Sequence, residues 1–184
     1  MKIGLISDTH GYIDAWEKAE MVFDGADLVI HMGDILGSGP FNPRYEEYNP
    51  MKLAHALNSA PYPMVFARGN CDAQVDTNAL DYPIQAPYAL VYVGGLSLMA
   101  THGHTHREAD LLELGGKYNL DIVALGHTHV IRLEKRGGLL IVNPGSAALP
   151  KGDEDFPTVG LFEDGLVKIV SLTDGSEVRS LAIG

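Results

Sequence analysis

The chain has 184 residues, enough to bury a sizeable core within one domain. Its 46% hydrophobic and 20% charged residues match ordinary soluble globular proteins, with no apolar run long enough to span a bilayer. A net charge of −11 argues against sustained binding to nucleic acid or anionic membrane, and one cysteine, Cys71, excludes an internal disulfide.

Met1–Ile6 carries an apolar run too short for a signal-peptide core, so a cytoplasmic protein is expected. Lys2–Ser7 reads as a buried strand, broken by Asp8-Thr9-His10-Gly11. Ile13, Trp16, Ala19 and Phe23 then repeat at helical spacing between Tyr12 and Asp24. Asp27–Met32 is a second short strand, ended by Gly33-Asp34. A strand-helix-strand unit favours a parallel pair. Leu36–Pro50, rich in Gly, Pro and Asn, reads as a long loop of the kind that carries function. A helix over Met51–Ser59 points Leu53, Ala54 and Leu57 inward. A third strand, Tyr62–Ala67, ends in Arg68-Gly69-Asn70-Cys71-Asp72.

The second half is dominated by hairpins. Ala89–Val93 and Leu96–Thr101 are strands joined at Gly94-Gly95, and the latter runs into His102-Gly103-His104-Thr105-His106. A helix is expected over Glu108–Tyr118, with Gly115-Gly116 leaving its last turn open. Asp121–Leu125 is an apolar strand followed by Gly126-His127-Thr128-His129. Val130–Lys135 and Leu139–Val142 form a hairpin, and Asn143-Pro144-Gly145-Ser146 is a polar turn. Thr158–Phe162, Leu166–Leu172 and Glu177–Ala182 are closing strands. No linker, repeat or low-complexity tract divides the chain, so residues 1–184 are expected to form one domain. Two facing sheets with helices outside satisfy both halves.

Five polar clusters recur just past apolar runs: Asp8-Thr9-His10, Gly33-Asp34, Gly69-Asn70-Cys71-Asp72, His102-Gly103-His104 and Gly126-His127-Thr128-His129. In α/β sheets, sites form beyond the carboxyl ends of the strands. Imidazole nitrogen mixed with carboxylate and carboxamide oxygen suits first-row divalent metals such as Mn, Fe, Co, Ni or Zn. No thiolate set exists for a structural zinc site. The candidate ligands outnumber one tetrahedral site, so two metals sharing a carboxylate is the economical reading.

In these five motifs and their order, and in Asn143-Pro144-Gly145-Ser146, nearly the whole chain resembles the calcineurin-like metallophosphoesterases. Its length and its Gly-Asn-Cys-Asp wording are most similar to the small bacterial YfcE-type phosphodiesterase subgroup. The resemblance implies a four-layer αββα sandwich of two mixed β-sheets flanked by helices. It implies two divalent ions per chain; the oxygen- and imidazole-rich donor set makes Mn the leading choice over Ni, Fe, Co or Zn, although affinity order alone favours heavier metals. Asp8, His10 and His129 would hold the first, Asn70, His102 and His127 the second, and Asp34 would bridge them. Such an ion pair, about 3.5–4 Å apart, acidifies a water that attacks a small phosphodiester. Asp34, Asn70, Cys71 and His104 are the candidate catalytic residues. Larger members carry His where this chain has Cys71, a position tied to phosphate stabilisation or leaving-group protonation; the YfcE-type proteins share the Cys.

Each residue also has a plainer reading. Asp8 and Asp34 follow strands and suit helix N-caps, and Asn70 suits a turn. His104 lines the cleft or is an exposed loop residue, and His106 more often the latter. His31 reads as a satisfied core group, His55 as surface, and Cys71 as cleft-lining rather than nucleophilic. Arg44, Arg68 and Lys151 are either phosphate contacts or surface charges. Rival functions are a phosphomonoesterase, a nucleotide pyrophosphatase, or a non-catalytic scaffold like the retromer subunit of this fold. Both a monomer and a homo-oligomer, dimer or tetramer, remain open.

Overall fold

The computed structural model describes residues 1–184. Chain order runs β1 (Lys2–Ile6), α1 (Ile13–Val22), β2 (Leu28–His31), α2 (Pro50–Asn58), β3 (Met64–Ala67), a 3₁₀ turn (Gln74–Asn78) and β4 (Ile84–Gln85). It continues through β5 (Ala89–Val93), β6 (Leu96–Ala100), α3 (Glu108–Tyr118), β7 (Ile122–Ala124), β8 (Ile131–Arg136) and β9 (Leu139–Pro144). The closing strands are β10 (Thr158–Glu163), β11 (Leu166–Ser171) and β12 (Glu177–Ala182).

These strands form two mixed sheets. The seven-stranded sheet has the order β12-β11-β10-β1-β2-β3-β4, and the five-stranded sheet β5-β6-β7-β9-β8. In the first, β1 through β4 run parallel, and β10 joins β1 antiparallel. In the second, β6, β7 and β9 run parallel between antiparallel β5 and β8.

The two-residue side-chain period of the strands builds the layers. Ile3 and Leu5 of β1, Leu28 and Ile30 of β2, and Leu98, Ile122 and Leu140 of the second sheet share one cluster between the sheets. The alternate residues Ile6, Val29, Met64 and Phe66 face outward, where α1 and α2 cover them with Trp16, Ala19, Leu53 and Leu57. Met99, Val123 and Ile141 face the other way and meet Leu111 of α3. The order helix, sheet, sheet, helix is the four-layer αββα sandwich expected from the sequence.

Most elements fall within a few residues of their expected places. Helix α2 starts at Pro50 because Asn49 caps it, its side chain accepting from Lys52 N at 3.0 Å. The glycines of α3 do not end it; the helix runs to Tyr118 and closes on Asn119, at φ 49°. Strand β9 extends into the expected polar turn as far as Pro144, because Thr158 Oγ1 donates to Pro144 O and Asn143 pairs with Arg132. Strand β4 was not legible, since two residues carry no period. The 3₁₀ turn is pinned by Asp76, whose carboxylate accepts from Ala73 N at 2.8 Å. No helix is long and apolar enough to cross a membrane.

Trp16 is fully buried, its ring 6.3 Å from Phe23 and 6.4 Å from Tyr62. Trp16→Ala should lower the unfolding free energy by about 3–5 kcal/mol, read from the midpoint of a urea transition. A loss under about 1 kcal/mol would mean that this cluster does not anchor α1 to the sheet.

Candidate metal centre

Both sheets end their central parallel strands on the same side, and the five polar clusters follow those ends. Asp8 and His10 follow β1, Asp34 follows β2, and Asn70 follows β3. From the other sheet, His102 follows β6, and His127 and His129 follow β7. The short turns that aim these side chains are backbone-strained. Asp8 (φ 57°), His10 (47°), Asp34 (54°), His127 (70°) and His129 (61°) all sit in the left-handed region. Such residues gather where surrounding structure over-determines them, often at functional sites.

The clusters converge. Asp8, His10 and His129 form one group, Asp8, Asp34 and His102 a second, and His10, Asp34 and Cys71 a third, with candidate ligand atoms in each group within 4.8 Å of one another. Asp8 Oδ1 lies 3.2 Å from His129 Nε2, 3.7 Å from His10 Nε2 and 3.9 Å from His102 Nε2. Asp34 Oδ2 stands between the groups, 3.7 Å from His10 Nε2 and 3.4 Å from His102 Nε2. Asn70 Oδ1 lies 3.1 Å from His102 Nε2. The His127 ring is exposed and lies 5.1 Å from the His102 ring.

Backbone carbonyls orient the three buried rings. Nδ1 of His10 pairs with Gly37 O at 2.8 Å, that of His102 with Met32 O at 2.8 Å, and that of His129 with Leu149 O at 2.5 Å. A carbonyl only accepts, so each Nδ1 carries the proton and each neutral Nε2 presents a lone pair to the centre. His10 Nε2 and His129 Nε2 face each other at 3.2 Å.

Asp8 and Asp34 are buried acids without N-cap roles; α1 is preceded by Tyr12 with no side-chain cap, and α2 by Asn49. Burial alone would raise the Asp8 carboxyl, but the closeness of His129 and His102 and the bond from Ser7 hold it below its ordinary value. Burial likewise opposes ionisation of Asp34, and the closeness of His102 and the bond from the Cys71 amide outweigh it. Burial disfavours His102 as a cation, yet Asp34 and Asp8 raise its pKa. Asp8 Oδ2 accepts from Ser7 Oγ at 2.5 Å and His127 N at 3.1 Å, whereas Oδ1 is buried with no hydrogen-bond partner.

Several supports lay outside the sequence reading. Asp72 accepts three backbone amides: Asp34 N at 2.9 Å, Gly69 N at 2.7 Å and Ile35 N at 2.7 Å. Burial nonetheless pushes its carboxyl up to about 6. Asn143 donates to Gly126 O at 2.8 Å, and Ser146 Oγ to Asp8 O at 2.8 Å. Gly126 is a steric requirement: a Cβ there would overlap Ser7 Oγ and lie 3.0 Å from Asp8 Oδ2 and His102 Nδ1. His31 is the satisfied core residue expected. Its Nδ1 accepts from Gly33 N at 3.1 Å, and its Nε2 meets Thr9 Oγ1 at 2.9 Å. Thr9 spends its proton on Ile35 O at 2.9 Å, so His31 Nε2 donates and the ring is neutral, in keeping with a pKa lowered by burial to about 3.

Around this centre lies a cavity of about 500 Å³, lined by Asp34, Asn70, Cys71, His127 and His129, by Ser38–Asn42, and by Lys151. Cys71 N donates to Asp34 Oδ1 at 2.7 Å, and the thiol is pushed up to about 12 by burial and by the Asp34 carboxylate. His104 is exposed outside this lining, its ring 5.3 Å from His102 and 6.0 Å from His127. His106 stands against Tyr88 at 6.1 Å. Arg44 ties to Ser38 and Arg68 to Gln74, and His55 is exposed on α2.

Residues 1–164 match the calcineurin-like phosphoesterase superfamily domain. The chain belongs to that superfamily. Among its calcineurin-like relatives is Phosphodiesterase YfcE of Escherichia coli K12, 35% identical over 100% of this chain and 98% of its own. The structure of E. coli YfcE, described as a phosphoesterase, superposes with a TM-score of 0.88 at 33% identity, covering both chains completely. The probable metallophosphoesterase YsnB of Bacillus subtilis is 30% identical over 82% of this chain and 78% of its own. The calcineurin-like family is one of metal-dependent hydrolases of phosphoric esters, and the chain carries its fold and candidate ligand groups.

The donor set fits divalent cations. Three lone pairs and an unpartnered carboxylate oxygen, all buried, repel one another unless a positive charge sits among them. Manganese at about 100 times its Kd should raise the unfolding free energy by about 2.7 kcal/mol, and EDTA should reverse it. A melting temperature indifferent to Mn, Ni, Co and Zn would remove this cluster as a cation site.

Proposed function

We propose that this protein is a metal-dependent phosphodiesterase acting on a small phosphodiester. Asp8, His10 and His129 would hold one divalent ion, Asn70, His102 and His127 would hold a second, and Asp34 would be shared between them. Asp8 Oδ1, buried without a hydrogen bond amid three imidazole nitrogens, carries this reading. Asp34 supports the bridging role by standing between His10 and His102. Manganese is the leading ion, because the donors are carboxylate, carboxamide and imidazole; Ni, Fe, Co and Zn suit the same set. When bound, such a pair supplies Lewis acidity toward phosphoryl oxygens and a water acidified to near neutral pH.

The chain's own residues do the rest. Hydrolysis adds a water oxygen to phosphorus and returns a proton to the departing alcohol. Asp34 is held ionised and fixed through Oδ1 by the Cys71 amide, which leaves Oδ2 directed at the centre. Asn70 and His127 line the cavity, and Lys151 is the one cationic side chain in its lining, suited to the single charge of a diester. Cys71 stays a thiol and serves by shape and through its amide, not as nucleophile. The role assigned to His104 is to exchange a proton with the departing oxygen, a reading supported by its exposed ring beside His102 and His127. The diester preference rests on the phosphodiesterase name of the full-length E. coli relative. Residues 1–184 act as one cytoplasmic domain, and the charge of −11 leaves no role for long nucleic acid.

Purified protein should contain two metal atoms per chain by elemental analysis. Asp34→Asn should drop below that and lose of order 10³-fold in kcat; full activity would remove Asp34 from the bridge. The manganese-loaded protein should cleave bis(p-nitrophenyl) phosphate faster than p-nitrophenyl phosphate or ADP-ribose. A faster monoester or pyrophosphate would reassign the reaction. No cleavage above a His127→Ala control would point to the non-catalytic scaffold.

A further inference from the structure

Phe41 is the most exposed large apolar side chain of the protein, at 96% of its surface. Nothing in the fold requires it there. It stands in the lining of the metal-centre cavity, in the same wall as Ser38, Gly39, Pro40 and Asn42. The loop that carries it is tied down on both sides. Arg44 Nε donates to Ser38 Oγ at 2.7 Å, and Asn42 Nδ2 to Ser38 O at 3.0 Å. Tyr12 OH donates to Pro43 O at 2.8 Å and accepts from Tyr45 N at 3.1 Å. Arg44 also lies 5.0 Å over the Tyr48 ring. At Gly39 (φ 64°) the loop passes so close to Cys71 that a Cβ would come within 2.9 Å of its Sγ. The base of the loop is thus buttressed, and the phenyl ring is presented to solvent beside the centre.

We infer that Phe41 is a specificity residue, a stacking platform for a planar aromatic ring on one ester arm of the substrate. This rests on the phosphodiesterase reading of the same site. The cavity wall selects the chemistry. Only Pro40 and Phe41 in it are apolar; the remaining lining is glycine, polar or charged. An alkyl arm needs enclosure on several sides to leave water, and this wall offers none. A flat ring gains its contact from one exposed face, which Phe41 supplies. The volume of about 500 Å³ accommodates a phosphate with a ring beside it. Aryl groups and nucleobases share this chemistry.

The test is calorimetric binding of methyl phosphate, phenyl phosphate and thymidine 5′-phosphate to the manganese-loaded protein. Wild type should bind one or both ring-bearing ligands about tenfold more tightly than methyl phosphate. A gain for phenyl phosphate assigns any aryl arm, and a gain for the nucleotide alone assigns a nucleobase. Phe41→Ala should bring the ratio to about one, and Phe41→Trp should keep it, with methyl phosphate binding unchanged in both. Phe41→Ala should raise KM for phenyl p-nitrophenyl phosphate, and Phe41→Trp should keep it. Equal affinities in wild type, absence of binding by all three ligands, or a ratio untouched by Phe41→Ala overturns the inference. So does a change in sedimenting mass on Phe41→Ala, which would show the ring covered by a second copy. Failure of the diesterase reading looks different: no diester turnover, with the binding ratio and its dependence on Phe41 intact.

Discussion

A carboxylate oxygen with no hydrogen bond, closed off from water and surrounded by three imidazole lone pairs, is unfavourable in any protein interior. Asp8 Oδ1 is in that position. Every nearby feature holds the arrangement in place. Ser7 and the His127 amide take the other Asp8 oxygen, three main-chain carbonyls fix the rings, and Gly126 leaves the room that a methyl group would fill. The cluster is coherent only as a cradle for positive charge.

That cradle carries a conformational cost. Five of its seven candidate ligands adopt left-handed backbone, each at about 1–3 kcal/mol. The compensation is local and polar. Asp72 gathers the amides of Asp34, Ile35 and Gly69 on one buried carboxylate. The His31–Thr9–Ile35 chain ties the turn after β1 to the turn after β2. Asn143 and Ser146 brace Gly126 and Asp8 from β9 and its following turn. Together with the hydrophobic layers, these contacts over-determine the turns, which is the condition for strained residues to persist.

Much of this was legible in the sequence, for a physical reason. Strands buried on both faces read as short apolar runs, and a site beyond parallel strand ends puts its ligands directly after those runs, so Asp8, Asp34, Asn70, His102 and His127 could be picked out in order. The αββα layering followed from alternating elements in one half and hairpins in the other. Local spacing carries no record of contacts between distant turns. The amide-gathering role of Asp72, seen only as the end of Gly-Asn-Cys-Asp, depends on residues 34 and 35. The roles of Asn143 and Ser146 depend on residues 126 and 8. Phe41 gave no signal, because an aromatic residue in a polar loop looks the same whether it points inward or outward. His104 was undecided in sequence and is exposed in the fold, adjacent to the candidate ligands without joining them.

The division of the cluster between the two sheets has a consequence for how the molecule is born. Asp8, His10, Asp34 and Asn70 emerge from the ribosome well before His102, His127 and His129, and His129 is 119 residues from His10. On the reading adopted above, no early fragment owns a full set of ligands. With that ligand set, cation capture would wait until β7 has docked, riveting an almost finished sandwich and not seeding one. Its release, by the same logic, would require the two sheets to part or a competitor to enter through the cavity mouth.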